Sequence, residues 1–212
     1  MNFATDSIVL ASGTVDAKDY CSRIAGILAG TPLTMSATYQ VLSEVLDVPH
    51  LTKTQFDTLI DAGKLVLMND GEKVKIARAV NSLVTISTDK GADWKKVKIV
   101  DIMDMIHNDI EKTYNDNYVG KVTGDYDHKC LLITAINAYF EGLELALLLD
   151  KGKNSVGLDL TAQTLYLQSI GVDTSTMSVM DIKDAYTGSS VLFSGTVRPL
   201  DAMEDLSLVL TL

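Results

Sequence analysis

The end of the chain has the most regular alternation of apolar and polar positions. Residues 206–212 read LSLVLTL, and one face of this segment carries Leu206, Leu208, Leu210 and Leu212. A period of two is typical of a half-buried strand. A strand also has backbone donors and acceptors to satisfy, so it requires the edge of a sheet. That edge belongs either to the chain's own sheet, as for most terminal strands, or to a neighbouring subunit.

Four further segments are predicted to form strands. In residues 191–198, alternate positions are occupied by Val191, Phe193, Gly195 and Val197, and Pro199 ends the run. Residues 64–68 and 73–78 flank an Asn-Asp-Gly-Glu sequence, which predicts a hairpin because these turn residues tolerate positive φ. Residues 83–86 predict an additional strand, because they form a short apolar run.

Apolar positions that recur every three or four residues predict the helices. The shorter helices are expected at residues 15–30, 52–62, 161–170 and 178–185, and the two long ones at 93–114 and 125–149. Candidate capping residues are Asp16, Thr52 or Thr54, Asp93, Asp125 or Asp127, and Ser178. Because helices and strands do not alternate regularly, the fold class is α+β, with two long packed helices and shorter helices against small mixed or antiparallel sheets.

The chain is long enough for one large domain or two small ones, with 212 residues of which 47% are hydrophobic. A boundary near residues 87–92 is predicted to divide a small α/β lobe, residues 1–90, from a helix-rich lobe, residues 91–212. The second lobe would end in the strand-forming arm at residues 205–212.

Charge excludes two classes of partner. The formal net charge is −10, which argues against direct nucleic-acid binding and against binding to anionic membranes. Residues 131–149 are apolar enough to raise the question of a membrane span. Thr134, Asn137, Glu141 and Glu144 form a single polar stripe there, so the segment is interpreted as an amphipathic helix without membrane insertion.

Motifs for chemistry are absent from the sequence. Cys21 and Cys130 lie far apart without a Cys-x-x-Cys pair, and the three histidines have no metal-ligand spacing. Phosphate-binding and nucleophile-elbow motifs are also missing. The prediction is therefore a protein that is not an enzyme and needs no cofactor or metal. The alternative is an enzyme with a cleft between the lobes that gathers Asp101, His107 or His128.

Three lysines stand out against the acidic composition. Lys95, Lys96 and Lys98 lie in the first turn of a predicted helix, where positive charge opposes the helix dipole. Solvated lysines with a tolerated cost are the ordinary interpretation. The other interpretation is an electrostatic contact with an acidic partner.

Four stretches together resemble a known family. They are YCSRIAGILAGTP at residues 20–32, NDGEKVKIARAVNSL at 69–83, KVKIV at 96–100 and LDAMEDL at 200–206. In this order they resemble the C-terminal half of the tail sheath proteins of contractile-tailed bacteriophages, phage-like prophage particles and R-type bacteriocins. The resemblance begins near residue 8 and runs to the end of the chain.

The resemblance implies a mechanical function. Such subunits stack as hexameric rings around a tail tube, exchange terminal strands with neighbours, and contract to drive the tube through a cell envelope. It therefore implies homo-oligomers, a tube-protein partner, and a location in the tail of a virion or phage-like particle after assembly in the host cytoplasm. The donated arm would be residues 205–212, received by a sheet that includes residues 191–198.

One expectation follows from this family pattern, and one alternative interpretation of the chain end stands beside it. Members begin upstream of the position that corresponds to Met1, so the chain is expected to be a shortened protein or a fragment, with residues 1–90 ending an upstream domain. A different interpretation of the same open-ended strand is a β-edge-capping module that binds an unlike partner as a soluble monomer.

Overall fold

The computed structural model describes residues 1–88 and 90–211. Contacts group the chain into two compact units. Unit 1 contains Met1–Met103 and the residues from Asp201 onward, and unit 2 contains Asp104–Leu200. The boundary near residue 90 predicted from sequence divides the chain into two consecutive lobes, which is not the same as this grouping by contacts, and it stays a prediction.

Unit 1 is built from a small sheet, a hairpin and two helices. The sheet is antiparallel with the strand order β2-β1-β3, and the hairpin pairs β4 with β5. The elements in chain order are β1 (Ile8–Leu10), β2 (Gly13–Val15), α1 (Ala17–Gly30), β3 (Val45–Asp47), α2 (Lys53–Asp61), β4 (Leu67–Asn69) and β5 (Val74–Ile76).

The core of unit 1 lies under the hairpin and α1. Its fully buried side chains come from β1, α1, the loop before β3 and both hairpin strands, and include Ile8, Ile24, Leu42, Leu65, Leu67 and Ile76. In the hairpin, Leu67 is opposite Ile76 and Asn69 is opposite Val74. This register puts one apolar face of the hairpin into the core, because side chains alternate along a strand.

Helix ends in unit 1 follow local sequence. Thr52 accepts a hydrogen bond from the Gln55 backbone N–H, and the Gln55 side chain accepts from the Thr52 N–H, so α2 begins with a capping box. Gly63 follows α2 with a φ of +69°, a conformation that glycine adopts without strain. Asp16 occupies the N-cap position of α1, but its side chain makes no capping hydrogen bond.

Unit 2 is dominated by helices. A 3-10 helix (Ala92–Lys95) in unit 1 precedes α3 (Val97–Asn117), which continues into unit 2. There follow α4 (Tyr126–Leu145), β6 (Ser155–Leu158), α5 (Leu160–Ser169), α6 (Val179–Asp184) and β7 (Phe193–Thr196). Strands β6 and β7 form an antiparallel pair. The Tyr139 hydroxyl donates to Asp109 Oδ2 at 2.6 Å and so links α4 to α3.

The structure confirms the predicted α+β class, and its named sheets are all antiparallel. It confirms the hairpin, both α2 boundaries to within a residue, and the caps Asp125 and Ser178. Among the described residues, no helix combines the length and the apolar character that a membrane crossing requires.

Two local predictions are wrong. Residues 83–86 form no strand, and Val84 and Ile86 are exposed, so no sheet buries them. Asp93 lies within the 3-10 helix and does not cap α3. Strand β6 was not predicted, and residues 200–211 contain no strand in this chain, so pairing of the strand-forming arm stays a prediction.

Candidate functional site: the C-terminal arm, its anchor and an open sheet edge

The chain leaves β7 through a segment that backbone contacts hold in place. Leu149 and Pro199 form an antiparallel bridge. The Leu200 N–H donates to the Leu148 carbonyl at 2.8 Å, and the Asp150 N–H donates to the Arg198 carbonyl at 2.9 Å. We call residues 199–205 the strap. Its first two residues are thus part of the backbone hydrogen-bonding of unit 2.

Further along the strap, one acidic side chain is buried within unit 1. The Glu204 carboxylate is only 4% exposed. Its Oε1 accepts from the Ser36 hydroxyl at 2.9 Å, and its Oε2 accepts from Arg78 Nη1 at 2.7 Å and from Lys96 Nζ. We call Ser36, Arg78, Lys96 and Glu204 the anchor. Buried carboxylates are stable only when paired in this way.

Backbone contacts of unit 1 bring the anchor residues together. The Asn81 N–H donates to the Lys95 carbonyl at 2.8 Å and the Val97 N–H donates to the Ala79 carbonyl at 3.1 Å. These bonds hold the chain just after Arg78 beside Lys96.

The hydroxyl side of the anchor is built from the loop after α1. Thr38 Oγ1 accepts from the Ala79 N–H at 3.0 Å, and the Thr38 N–H donates to the Ser36 hydroxyl oxygen at 3.1 Å. The anchor residues that contact Glu204 therefore come from three parts of the chain that are distant in sequence.

Electrostatics favour the charged form of Glu204. Burial by itself would raise the pKa of its carboxyl, but hydrogen bonds from Lys96, Thr38 and Arg78 outweigh burial and lower the pKa to about 2. The pKa of Arg78 is raised, first by its hydrogen bond to Asp205. Asp205 is 80% exposed and pairs with Arg78 Nη2. Asp201 Oδ2 lies 3.3 Å from Lys96 Nζ, and the Asp201 side chain is 40% exposed.

The three lysines singled out in the sequence have different environments. Lys96 pairs with Glu204 and Asp201 within the chain. Lys98 is buried, its Nζ lies 3.5 Å from the Thr34 carbonyl, and burial lowers its pKa. Lys95 ends the 3-10 helix with a half-buried side chain. Contact of these lysines with a partner stays a prediction.

The described residues beyond Asp205 are exposed. We call residues 206–211 the arm tip. They contain no strand, and the exposed fractions of their apolar residues are 89% for Leu206, 68% for Leu208, 83% for Val209 and 83% for Leu210. The interpretation of a strand docked in the chain's own sheet is therefore wrong. Leu212, the last residue assigned to the interface, lies outside the described residues.

The sheet of β6 and β7 has one closed edge and one open edge. The Asn137 side chain in α4 donates to the Val156 carbonyl at 3.1 Å and accepts from the Val156 N–H at 2.9 Å. Val156 therefore points its backbone polar groups away from its partner Gly195. By the same alternation, Gly195 directs its own N–H and carbonyl outward.

The open edge coincides with residues that the sequence assigned to an interface. Among the described residues, β7 pairs with no strand other than β6. Phe193 and Val197 lie two positions before and after Gly195, so their backbone groups face the same outer edge. Their side chains and that of Val191 are half-buried. The structure thus leaves a row of backbone donors and acceptors at this edge.

Close packing of β6 on β7 depends on one glycine. A Cβ added at Gly195 would overlap the Ser155 carbonyl oxygen and would lie 3.1 Å from the Val156 Cα. These are backbone atoms, which cannot move without changing the sheet. Gly195 therefore sets the spacing of the two strands.

The groups considered for catalysis do not form a reactive cluster. His107 and Glu111 are both exposed, with His107 Nε2 3.6 Å from Glu111 Oε2. His128 bonds to Asp125, the residue that caps α4, the helix in which His128 lies. In the part of the chain that the structure describes, no group of acidic, histidine and cysteine side chains is arranged to hold a metal ion.

Unit 2 also contains a cavity of about 290 Å³ beside α4, lined by Tyr114, Tyr118, His128 and Lys129 among others. The buried Lys129 donates to Thr187 Oγ1 at 2.9 Å, and burial lowers its pKa. Thr187 in turn donates to the Ser190 carbonyl at 2.7 Å. These bonds fix the loop before β7.

Comparison with known proteins identifies the family. A family model described as the phage tail sheath C-terminal domain matches residues 89–211, more than half of the chain. The chain belongs to the phage tail sheath family. Membership of this structural family confirms the prediction that the chain is not an enzyme.

Two curated relatives agree with this assignment. The sheath chain is 36% identical over 208 residues to the tail sheath protein of Clostridium phage phiCD119, which covers 98% of this chain and 58% of that protein. It is 28% identical over 114 residues to the phage-like element PBSX protein XkdK of Bacillus subtilis, which covers 51% of this chain and 24% of that protein. The chain thus spans only part of the length of these relatives.

Solved structures show the same fold. The sheath tail protein of Desulfitobacterium hafniense matches with a TM-score of 0.66 at 24% identity, covering 74% of this chain and 38% of that one. The helical sheath of the anti-feeding prophage in its contracted state matches with a TM-score of 0.66 at 14% identity, covering 99% of this chain and 54% of that one.

The sheath family was identified from sequence, whereas Ser36, Arg78 and Glu204 were missed as site residues. No local pattern pairs side chains so distant in sequence.

Proposed function

We propose that this chain is part of a structural subunit of a contractile tail sheath. The subunit polymerises as hexameric rings around a tail tube, and contraction of the polymer drives the tube through a cell envelope. Family membership supports this proposal, and so does the fold shared with a helical sheath described in its contracted state. The protein would then reside in the tail of a phage or phage-like particle.

Strand exchange is the proposed link between subunits. The observation that carries it is an exposed, alternating arm tip beyond a buried anchor. A partner sheet would bury one face of the tip, with Leu206, Leu208 and Leu210. Burying each leucine contributes roughly 1.5–3 kcal/mol, and main-chain pairing fixes the register.

The receiving partner is proposed to be the open edge of β7 in a neighbouring copy. This edge presents outward backbone groups at Phe193, Gly195 and Val197, so an added strand would satisfy them. A single type of subunit would then supply both the donated strand and the acceptor edge. Repetition of this head-to-tail contact builds a helical polymer or a ring.

The test is Leu208→Asp with Leu210→Asp in the sheath protein that contains this chain. A charge on the buried face of the donated strand should abolish sheath formation, seen by electron microscopy, while leaving the circular dichroism spectrum unchanged. The matched control is Ser207→Asp with Thr211→Asp, which adds the same charge to the opposite face and should leave sheaths intact.

Long sheaths from the leucine variant would refute strand exchange. A soluble monomer that forms no sheath under any condition but binds the sheet edge of an unlike protein would instead support an edge-capping module.

A further inference from the structure

We infer that Glu204 is a positioning residue that fixes the point at which the C-terminal arm leaves unit 1. The arm then pivots after Asp205 and not at Pro199. The anchor consists of contacts within a single chain, so its existence does not depend on the proposed polymerisation. Its consequence for sheath geometry rests on the proposed function.

Proline would be the obvious hinge from sequence, because it ends the strand-like run. In the structure, however, Pro199 is bridged to Leu149, and the next residue donates a backbone hydrogen bond to Leu148. A residue held by its own backbone contacts on unit 2 cannot act as the free joint. The joint must lie further along the strap.

Among the described residues, Glu204 is the last whose side chain is buried. Met203 before it is fully exposed at 104%, and Asp205 after it has an 80% exposed side chain. The Glu204 carboxylate accepts hydrogen bonds from Arg78 and Lys96, two charged donors. Charge-assisted hydrogen bonds are about twice as strong as neutral ones, so this single side chain acts as a peg.

The position of the peg limits the reach of the arm. With Glu204 held, the arm extends from residue 206 onward. If the peg were released, the five residues 201–205 would join the arm and lengthen its reach by at most about 17 Å. A short reach restricts the register in which the tip can pair, whereas a long one permits slippage.

The experiment measures where the chain becomes mobile. In the 212-residue chain with Cys21→Ser and Cys130→Ala, a nitroxide label is attached at Met203→Cys or at Leu208→Cys. Room-temperature electron paramagnetic resonance should give a broad, slow spectrum at position 203 and a sharp, fast one at position 208. Glu204→Gln should sharpen the spectrum at position 203, because the rotational correlation time of the label there should shorten several-fold.

Two further variants separate a peg from a general effect of charge. Asp205→Asn removes an exposed charge that also pairs with Arg78, and it should leave position 203 slow. Arg78→Gln removes a donor from the other side of the anchor and should release position 203 as Glu204→Gln does. Unchanged fluorescence of Trp94 would show that unit 1 remains folded in each variant.

The inference is overturned if position 203 is already as mobile as position 208 in the parent chain, or if Glu204→Gln leaves it slow. Neither result depends on polymerisation, so failure of the peg and failure of strand exchange are distinguishable. If the peg is real and sheaths form by strand exchange, Glu204→Gln should also give fewer and shorter sheaths by electron microscopy.

Discussion

The anchor predicts a specific loss of stability in acid. The pKa of Glu204 is lowered from 4.5 to about 2 in the folded chain, and each unit of difference corresponds to about 1.4 kcal/mol. Charge on this group therefore contributes about 3 kcal/mol to the free energy of unfolding at neutral pH. Because the folded pKa is the lower one, this contribution is present above pH 4.5 and is lost as the pH falls towards 2.

The assay is urea unfolding of the chain and of Glu204→Gln between pH 6 and pH 2.5. Trp94 is the single tryptophan and lies in unit 1, so its fluorescence reports the unit that contains the anchor. Glutamine cannot ionise, and its variant therefore lacks this component. We expect the parent chain to be more stable at pH 6 and the difference to shrink by about 2–3 kcal/mol at pH 2.5, which is close to the folded pKa.

Neighbouring charges determine how the result is interpreted. The groups that face Glu204 are Arg78, Lys96, Lys98, Asp201 and Asp205. The two aspartates are more exposed than Glu204, and both are present in the parent chain and in the variant. A difference that stays constant from pH 6 to pH 2.5 would refute the argument that ion pairing outweighs burial at Glu204.

Two further predictions concern the sheet of unit 2. Gly195→Val should destabilise unit 2 by about 1–3 kcal/mol, because the side chain would be forced against the backbone of β6. Amide hydrogen exchange at Gly157 should therefore accelerate. The control is Ser194→Val, a substitution at an exposed neighbouring position, which should leave this exchange rate unchanged. Asn137→Ala should cost about 1–3 kcal/mol in thermal unfolding, since it leaves both backbone groups of Val156 unpaired, and a stability equal to that of the parent would show that water replaces the amide.

Local patterns predicted the elements whose causes are local. The capping box that begins α2 and the cap of α6 depend on residues three apart in sequence, so both were predictable. The hairpin follows from its turn residues and the alternation on both sides. Residues 83–86 have a strand-like composition but form no strand, because a strand also needs a neighbouring edge that composition does not reveal.

The strand β6 was missed for the opposite reason. Its four residues, Ser155–Leu158, lie directly after a polar turn and show little alternation. They become a strand because Asn137 pairs with one edge and β7 with the other. Both partners lie elsewhere in the chain, so no window of sequence contains the cause.

The sequence by itself determined the α+β class, most helix boundaries, the family, and a chain end with the alternation of a strand. These properties depend on periodicity, turn chemistry and ordered motifs that lie close together in sequence. Only the tertiary structure decided that residues 206–211 form no strand in their own sheet and that Glu204 is buried among Ser36, Arg78 and Lys96. It also decided that β7 keeps an edge that no other described strand covers. Burial and charge pairing depend on which distant segments meet, and this is settled only when the core packs.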